Sequence, residues 1–213
     1  MTTAALGTAP ARDSDRDAAT RARIADAAER LFRTLGYQKT AVADIARECG
    51  MSPANVYRFF ASKSAINEAI AARLLGGIEA ELRAIAAGTG PAEARLRAAV
   101  RALHERGSAL FVQEKRLHDM VEAAMTEHWG VIERFLEAVV GVYAALLAEG
   151  MARGEFRPRD PLATARSLKQ CTVAWMHPAL IADCLRHGEA PEQLCADLEA
   201  ALDLLMDGLR APA

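Results

Sequence analysis

The chain has 213 residues, of which 52% are hydrophobic, so it is long enough to bury a core and too apolar to be intrinsically disordered. Its net charge of −2 argues against a uniform coat of nucleic acid, although the first 66 residues contain ten basic and seven acidic side chains. No run approaches 18 uninterrupted apolar residues and no secretory leader opens the chain, which predicts a cytoplasmic protein without membrane contact.

Apolar residues recur with a helical period almost throughout the chain, which predicts an all-α protein of about nine helices. Residues 1–18 are small, polar and unpatterned, and are predicted to form a disordered arm. Residues 19–66 are predicted to form a three-helix domain with a helix-turn-helix at about 41–60. Thr40 and Ser52 stand where they can cap the two short helices of that motif.

The rest of the chain is predicted to consist of a long connecting helix and a larger helical domain. Residues 67–90 continue the fourth helix until the sequence AGTGP ends it, and residues 91–213 form the C-terminal domain. Pro178 is predicted to kink one of the later helices. The five segments expected in that domain are 92–105, 108–125, 129–153, 161–186 and 191–209.

The second helix of a helix-turn-helix presents its N-terminal residues to base edges in the major groove of DNA. Three side chains of this helix are predicted to be exposed donors: Asn55, Tyr57 and Arg58. Arg58 is the best candidate for direct readout, because its guanidinium can bond guanine O6 and N7 together. Arg21 and Arg23, near the start of the first helix, are candidate phosphate contacts or solvated surface charges.

The run TAVADIARECGMSPANVYRFFASK (40–63), preceded by IADAAERLFRTLGY (24–37), resembles the DNA-binding domain of TetR-family transcriptional regulators. The resemblance covers about residues 19–75 and implies an all-helical homodimer, usually a repressor. Such a dimer binds a palindromic double-stranded operator and releases it when a small-molecule effector enters the C-terminal domain. Phe59 departs from the pattern where the family often has His or Tyr, which makes a polar DNA contact from that position unexpected.

The resemblance also implies roles for individual residues. Thr40, Asn55 and Lys63 would hold phosphates, and the backbone N–H of Ser52 would do the same. Tyr57 would reach the DNA backbone or a thymine methyl group. The residues nearest the base edges would be Pro53, Ala54 and Arg58.

Two C-terminal segments have apolar stripes wider than a single intramolecular contact needs. They are predicted to pair with their copies as a four-helix bundle across a twofold axis. The alternative, in which both helices bury their stripes within one chain, stays open. The residues predicted to form the dimer interface are Leu168, Trp175, Leu194, Leu198, Leu202 and Leu205.

Aromatic, methionine and histidine side chains near Pro178 and in residues 108–129 predict a mostly apolar effector pocket with a few polar anchors. Plain core packing of the same side chains is the competing interpretation. The candidates for effector binding are Phe111, His118, Met125, Trp129, Trp175 and His177.

Two other functions compete with a ligand-responsive regulator. A helix-turn-helix dimer without an effector fits the same N-terminal pattern. A helical enzyme fits less well, because the sequence has no Glu-x-x-His pair, no His-Glu-x-x-His, no phosphate-binding glycine loop and no Gly-x-Ser-x-Gly. No catalytic residue, cofactor or metal site is predicted.

Overall fold

The computed structural model describes residues 10–112 and 130–212, and within these ranges the chain is all-α. A single bridge between Phe156 and Arg210 is the one extended pairing in the described part. The predicted fold class is thus confirmed. Nine α-helices lie in these ranges: α1 (Pro10–Leu35), α2 (Val42–Glu48), α3 (Pro53–Phe59), α4 (Lys63–Ala86), α5 (Ala92–Val112), α6 (Gly130–Ala152), α7 (Pro161–Cys171), α8 (Pro178–Arg186) and α9 (Pro191–Leu209).

Helix α1 begins at Pro10, so residues 10–18, predicted to belong to a disordered arm, are helical instead. Proline is well suited to the first helical position, where its missing N–H leaves no bond unmade. The apolar pattern could not reveal this part of the helix, because among residues 14–35, whose burial is described, the first buried residue is Ile24.

The described helices enclose two hydrophobic cores. The first lies among α1, α2, α3 and the N-terminal half of α4, and its largest buried side chains include Phe32 and Ile45. The second lies among the C-terminal half of α4 and helices α5, α6, α7 and α9, and it contains Tyr143 and Leu146. Helix α4 belongs to both cores and therefore connects the N-terminal three-helix unit to the C-terminal bundle.

Between its two buried halves, α4 contains the exposed pair Gly76 and Gly77. A Cβ atom added to either glycine would meet no other atom within 4 Å. Close packing in the described structure therefore does not require glycine at these positions. Each glycine in a helix interior destabilises the helix by about 1 kcal/mol relative to alanine, so the pair weakens α4 at its middle.

Two segment boundaries in the C-terminal domain differ from the prediction. Helix α5 continues through Gly107, where a break was expected; a Cβ there would lie 3.5 Å from the carbonyl oxygen of Met176, an ordinary van der Waals contact. The segment 161–186 is two helices with a 3-10 turn at Val173–Trp175 between them. Pro178 occupies the first turn of α8, so it starts a new helix and does not kink a continuous one.

A test of the second core concerns Gly150 on α6. A Cβ atom there would overlap the ring of buried Phe156 and lie 3.1 Å from Cβ of Ala92. Gly150→Ala is expected to lower the free energy of unfolding by about 1–3 kcal/mol, because an overpacked core strains its neighbours. Urea denaturation followed by circular dichroism measures the change.

Gly141→Ala is the matched control on the same helix. Gly141 is exposed and a Cβ there meets nothing within 4 Å, so this variant should gain about 0.5–1 kcal/mol from helix propensity. Equal stability changes in the two variants would contradict the close contact between Gly150 and Phe156.

Candidate nucleic-acid interface

The helix-turn-helix is formed by α2, a four-residue turn at 49–52 and α3. Gly50 has φ +66°, a left-handed conformation that glycine adopts without strain, and it lets the N–H of Met51 donate to the carbonyl of Ala46 at 2.9 Å. Ser52 then caps α3, with its Oγ accepting from the N–H of Asn55 at 3.2 Å. The turn is thus fixed at both ends by local hydrogen bonds, as the sequence predicted for Ser52.

One side of α3 packs inward and the other faces solvent. Val56 is fully buried and Phe60 at the C-cap is nearly so, which anchors α3 on the first core. Four residues predicted to face DNA are exposed: Pro53, Ala54, Tyr57 and Arg58. Tyr57 is 52% exposed, so packing against the core does not account for its position.

Local polar contacts organise the exposed face of α3. A guanidinium N–H of Arg58 donates to Oδ1 of Asn55 at 3.4 Å, and the amide of Asn55 approaches Sδ of Met51 at 3.7 Å. Arginine has five N–H donors, and the contact to Asn55 is long and exposed. The Arg58 guanidinium can therefore turn toward a base edge at little energetic cost.

Arg21 and Arg23 both lie beside the helix-turn-helix. The guanidinium carbon of Arg21 is 5.2 Å from the ring centroid of Phe60, and a guanidinium N–H of Arg23 donates to the carbonyl of Cys49 at 3.2 Å. Both side chains are exposed. These contacts bring positive charge from α1 next to the exposed face of α3, and a phosphate contact by either arginine stays a prediction.

Lys63 is engaged by the protein itself. Its ammonium donates to the carbonyls of Tyr37 at 2.8 Å and Thr40 at 3.1 Å, and it lies 4.4 Å from the ring centroid of Tyr37. A third carbonyl, that of Gln38, is 3.5 Å away. An ammonium has three N–H donors, so these contacts use its hydrogen-bonding capacity. The geometry thus gives Lys63 a role in holding the α1–α2 turn, and a phosphate contact by its ammonium stays a prediction.

Thr40 has a similar internal role. It is 1% exposed, and its Oγ1 donates to the carbonyl of Gly36 at 2.8 Å. The N-cap of α2 is Ala41, whose N–H donates to Oδ2 of Asp44 at 3.0 Å. Both expectations for Thr40, the helix cap and the phosphate contact, therefore disagree with its burial. Lys39, next to it on the turn, is exposed and was overlooked; its position just before the motif was the available signal.

The predicted effector residues are only partly described. The side chain of Phe111 and residues His118, Met125 and Trp129 lie outside the described part of the chain. Trp175 and His177 are half-buried where α7 gives way to α8. The structure brings them close to α5, because Nδ1 of buried His104 lies 2.8 Å from the carbonyl oxygen of Trp175.

Besides Nε of Arg95, three buried polar atoms of the C-terminal domain have no hydrogen-bond partner among the described residues: the Tyr143 hydroxyl, Ser108 Oγ and His177 Nδ1. Burial raises the pKa of the Tyr143 phenol, so this group stays a protonated donor. An unpaired buried polar atom is unfavourable unless water or a ligand satisfies it. Only His177 among the three was singled out by the sequence, because the others sit in regular helical patterns.

The leucines predicted to form the dimer interface on α7 and α9 mostly face the interior of their own chain. Leu168, Leu198 and Leu202 are buried in the second core of the same chain, and Leu194 is also buried, which corrects the expected face of α7 and α9. Trp175 and Leu205 are half-buried and pack against that core. The opposite face exposes Leu162 and Leu204, the latter 77% accessible. A groove of about 540 Å³ runs between α7 and α9, lined by residues that include Ala163, Ser167, Leu204 and Gly208.

No group of three or more potential metal ligands comes together in residues 10–112 and 130–212. Within the same ranges, no helix combines the length and apolarity needed to cross a bilayer.

Two family models match the chain. Residues 24–70 match the model described as bacterial regulatory proteins, tetR family, and residues 92–195 match the tetracyclin repressor-like C-terminal domain. The first match contains the C-terminal part of α1, all of α2 and α3 and the start of α4, and the second contains helices α5 to α8. No curated protein matches the chain in sequence.

Many solved structures share the fold at low sequence identity. A transcriptional regulator from Cytophaga hutchinsonii has a TM-score of 0.67 at 20% identity, covering 88% of this chain and 97% of that one. SmeT, the repressor of a Stenotrophomonas maltophilia multidrug efflux pump, has a TM-score of 0.61 at 22% identity, covering 91% of both chains. FadR from Bacillus subtilis, solved with stearoyl-CoA, has a TM-score of 0.58 at 18% identity, covering 87% of this chain and 97% of that one.

The contacts of Lys63 give a stability prediction. Lys63→Met is expected to lower the free energy of unfolding by about 1.5–3 kcal/mol, because backbone carbonyls of the α1–α2 turn lose a charged donor. Urea denaturation measures the effect. Lys39→Met, which alters an exposed lysine on the same turn, is the control and should stay within about 0.5 kcal/mol.

The DNA contact of Lys63 is tested with the same two variants. If Lys63→Met were as stable as the parent and bound DNA with a weaker salt dependence, the ammonium would be a phosphate ligand and the structural role would be wrong.

Proposed function

The chain belongs to the tetR family of bacterial regulatory proteins, and from this premise we propose that it is a cytoplasmic repressor that binds a palindromic operator as a homodimer. A small and mostly apolar effector would release it. The observation that carries the proposal is the exposed face of α3, where Tyr57 and Arg58 project beside a tightly fixed turn.

Recognition of DNA would divide between two kinds of contact. Arg58 would read a base edge, with Pro53 and Ala54 permitting close approach of the backbone to the groove. Asn55, Tyr57, the N–H of Ser52 and the arginines of α1 would position the protein on the phosphate backbone. Lys39 replaces Lys63 in this scheme as the cation of the α1–α2 turn, because Lys39 is exposed and Lys63 holds carbonyls.

Dimerisation would use the outer faces of α7 and α9. On α9 the exposed small or apolar residues recur at four-residue spacing, as Ala196, Ala200, Leu204 and Gly208. On a helix this spacing makes a continuous stripe that a partner helix can approach closely. A twofold axis would bring the same stripe of a second copy against it and fill the groove beside Leu204.

Effector binding would involve the second core near the break between α7 and α8. The hydroxyl of Ser108 and the ring nitrogen of His177, which have no hydrogen-bond partner among residues 10–112 and 130–212, favour a ligand with a hydrogen-bonding group on an apolar body. Stearoyl-CoA, bound in the B. subtilis FadR structure, is one concrete probe of this chemistry. A rise in Tm with probe concentration supports an effector site, whereas a helix-turn-helix dimer without effector would show none with any probe.

Selection of bound duplexes from a random pool tests the DNA proposal directly. The parent protein is expected to enrich a palindrome, and Arg58→Ala is expected to lose about 1–3 kcal/mol of discrimination at one base position of each half-site. Arg47→Ala is a suitable control, because Arg47 is exposed on α2 and paired with Asp44. Enrichment of no sequence by the parent protein would contradict the proposed function.

The dimer face is tested by Leu204→Glu. Because twofold symmetry places two new carboxylates in one apolar contact, the concentration at half-dissociation is expected to rise about 100-fold or more in sedimentation velocity. Leu35→Glu is the control, since Leu35 is an exposed leucine on α1 in the other core unit. An intact Leu204→Glu dimer would place the interface elsewhere.

A further inference from the structure

The N-terminal half of α4 is fixed to the three-helix unit. Ile66 and Ile70 are fully buried in the first core. One turn later, the guanidinium of Arg73 donates to Asp26 at 2.5 Å and also pairs with Glu29, both on α1. These contacts bind this half of α4 to the helix that carries Arg21 and Arg23.

The C-terminal half of α4 is fixed to the bundle. Leu82 is buried in the second core, and Ile78 and Ile85 pack against it. The buried guanidinium of Arg95 on α5 donates to the carbonyl of Ala86 at 2.7 Å and pairs with Glu149 on α6. The last turn of α4 is thereby bound to two helices of the second core.

Gly76 and Gly77 lie between these two fixed halves, two residues after Leu74 of the first core and one before Ile78 of the second. Neither glycine makes room for a described neighbour. Glycine lowers helix stability most where no tertiary contact compensates. We propose that this glycine pair is a joint at which α4 bends, and that it sets the range of half-site separations that the dimer accepts. This inference rests on the proposed function as a dimeric DNA-binding protein.

A bend of α4 at the glycine pair changes the position of the DNA-binding face of α3. The exposed face of α3 is bound through α1 and the first core to one side of the joint, and the second core lies on the other side. A small change of angle at the glycine pair therefore moves Arg58 relative to its counterpart in the partner subunit. A dimer with two such joints can match operators whose half-sites differ in spacing, whereas a stiff dimer matches one spacing best.

A small cluster crosses the joint on one side. Ala71 and Leu75 of α4 pack with Val131 and Ile132 at the N-terminal end of α6. Two of these four residues are buried, so the cluster is minor beside the two cores it lies between. The cluster therefore couples the bend of α4 to the position of the N-terminal end of α6. Because the cluster is small, it limits the bend without preventing it.

Hydrogen exchange tests the joint in the full-length protein without DNA. Amides of residues 76–80 are expected to exchange faster than those of the flanking turns of α4. The double variant Gly76→Ala/Gly77→Ala should slow their exchange by roughly twentyfold, because two alanines strengthen the local helix. Gly141→Ala, at an open and exposed position on α6, is the control and should leave exchange at 76–80 unchanged. Equal protection along α4 in the parent would overturn the joint.

Operator spacing tests its consequence. Duplexes carry the half-sites selected by the parent protein, with the spacer unchanged or altered by one base pair in either direction. The double variant should bind the unaltered duplex with similar affinity and lose about tenfold more affinity than the parent on altered spacers. Gly141→Ala should follow the parent. Equal penalties in parent and double variant would overturn the proposal.

The other outcomes are also decisive. If the parent protein binds no duplex, the proposed function fails, while the exchange experiment still decides whether α4 is weak at the glycine pair. If the double variant becomes a monomer in sedimentation, the glycines serve packing between subunits and the joint is overturned.

Discussion

The orientation of the DNA-binding unit depends on a single helix that is shared between two hydrophobic cores. Helix α4 buries Ile66 and Ile70 in the first core and Leu82 in the second. Burial at both ends fixes its register in each unit, since a shifted helix would expose apolar area worth roughly 25 cal/mol per Å². The angle between the units is then governed by the stiffness of α4, which is lowest at Gly76–Gly77 because a Cβ added at either residue would meet no neighbour in the described part of the chain.

The turns of the N-terminal three-helix unit are held rigid by polar contacts inside that unit. The Lys63 ammonium gathers the carbonyls of the α1–α2 turn, and Ser52 closes the turn before α3. The basic residues of the motif thus fall into two groups. Some donate hydrogen bonds to backbone carbonyls inside the domain, and others are exposed on the surface. Exposed Arg58 and Lys39 belong to the second group and give this face its positive charge.

The C-terminal bundle contains a network of paired charges and, beside it, buried polar atoms without a hydrogen-bond partner among the described residues. Bonding from Arg210, and more weakly from Arg97, holds the pKa of the Glu93 carboxyl below its ordinary value and ties α5 to the end of α9. Bonding from Arg95 does the same for the pKa of Glu149. By contrast, the Tyr143 hydroxyl is buried without a described partner. Because buried polar groups are normally hydrogen-bonded, atoms of this kind are candidates for the proposed ligand contacts.

The sequence alone determined the fold class, the two units and the inward and outward faces of α3, because helical periodicity and caps such as Ser52 depend on neighbouring residues. Only the tertiary structure decided which partner each side chain meets. Thr40 and Lys63 look like surface groups in sequence but contact carbonyls brought near by the α1–α2 turn. Leu198 and Leu202 form a stripe that could cover either a partner or the chain's own core, and packing of α9 onto α5 and α6 chose the core. Periodicity specifies a face, whereas the neighbour of that face is set by contacts distant in sequence.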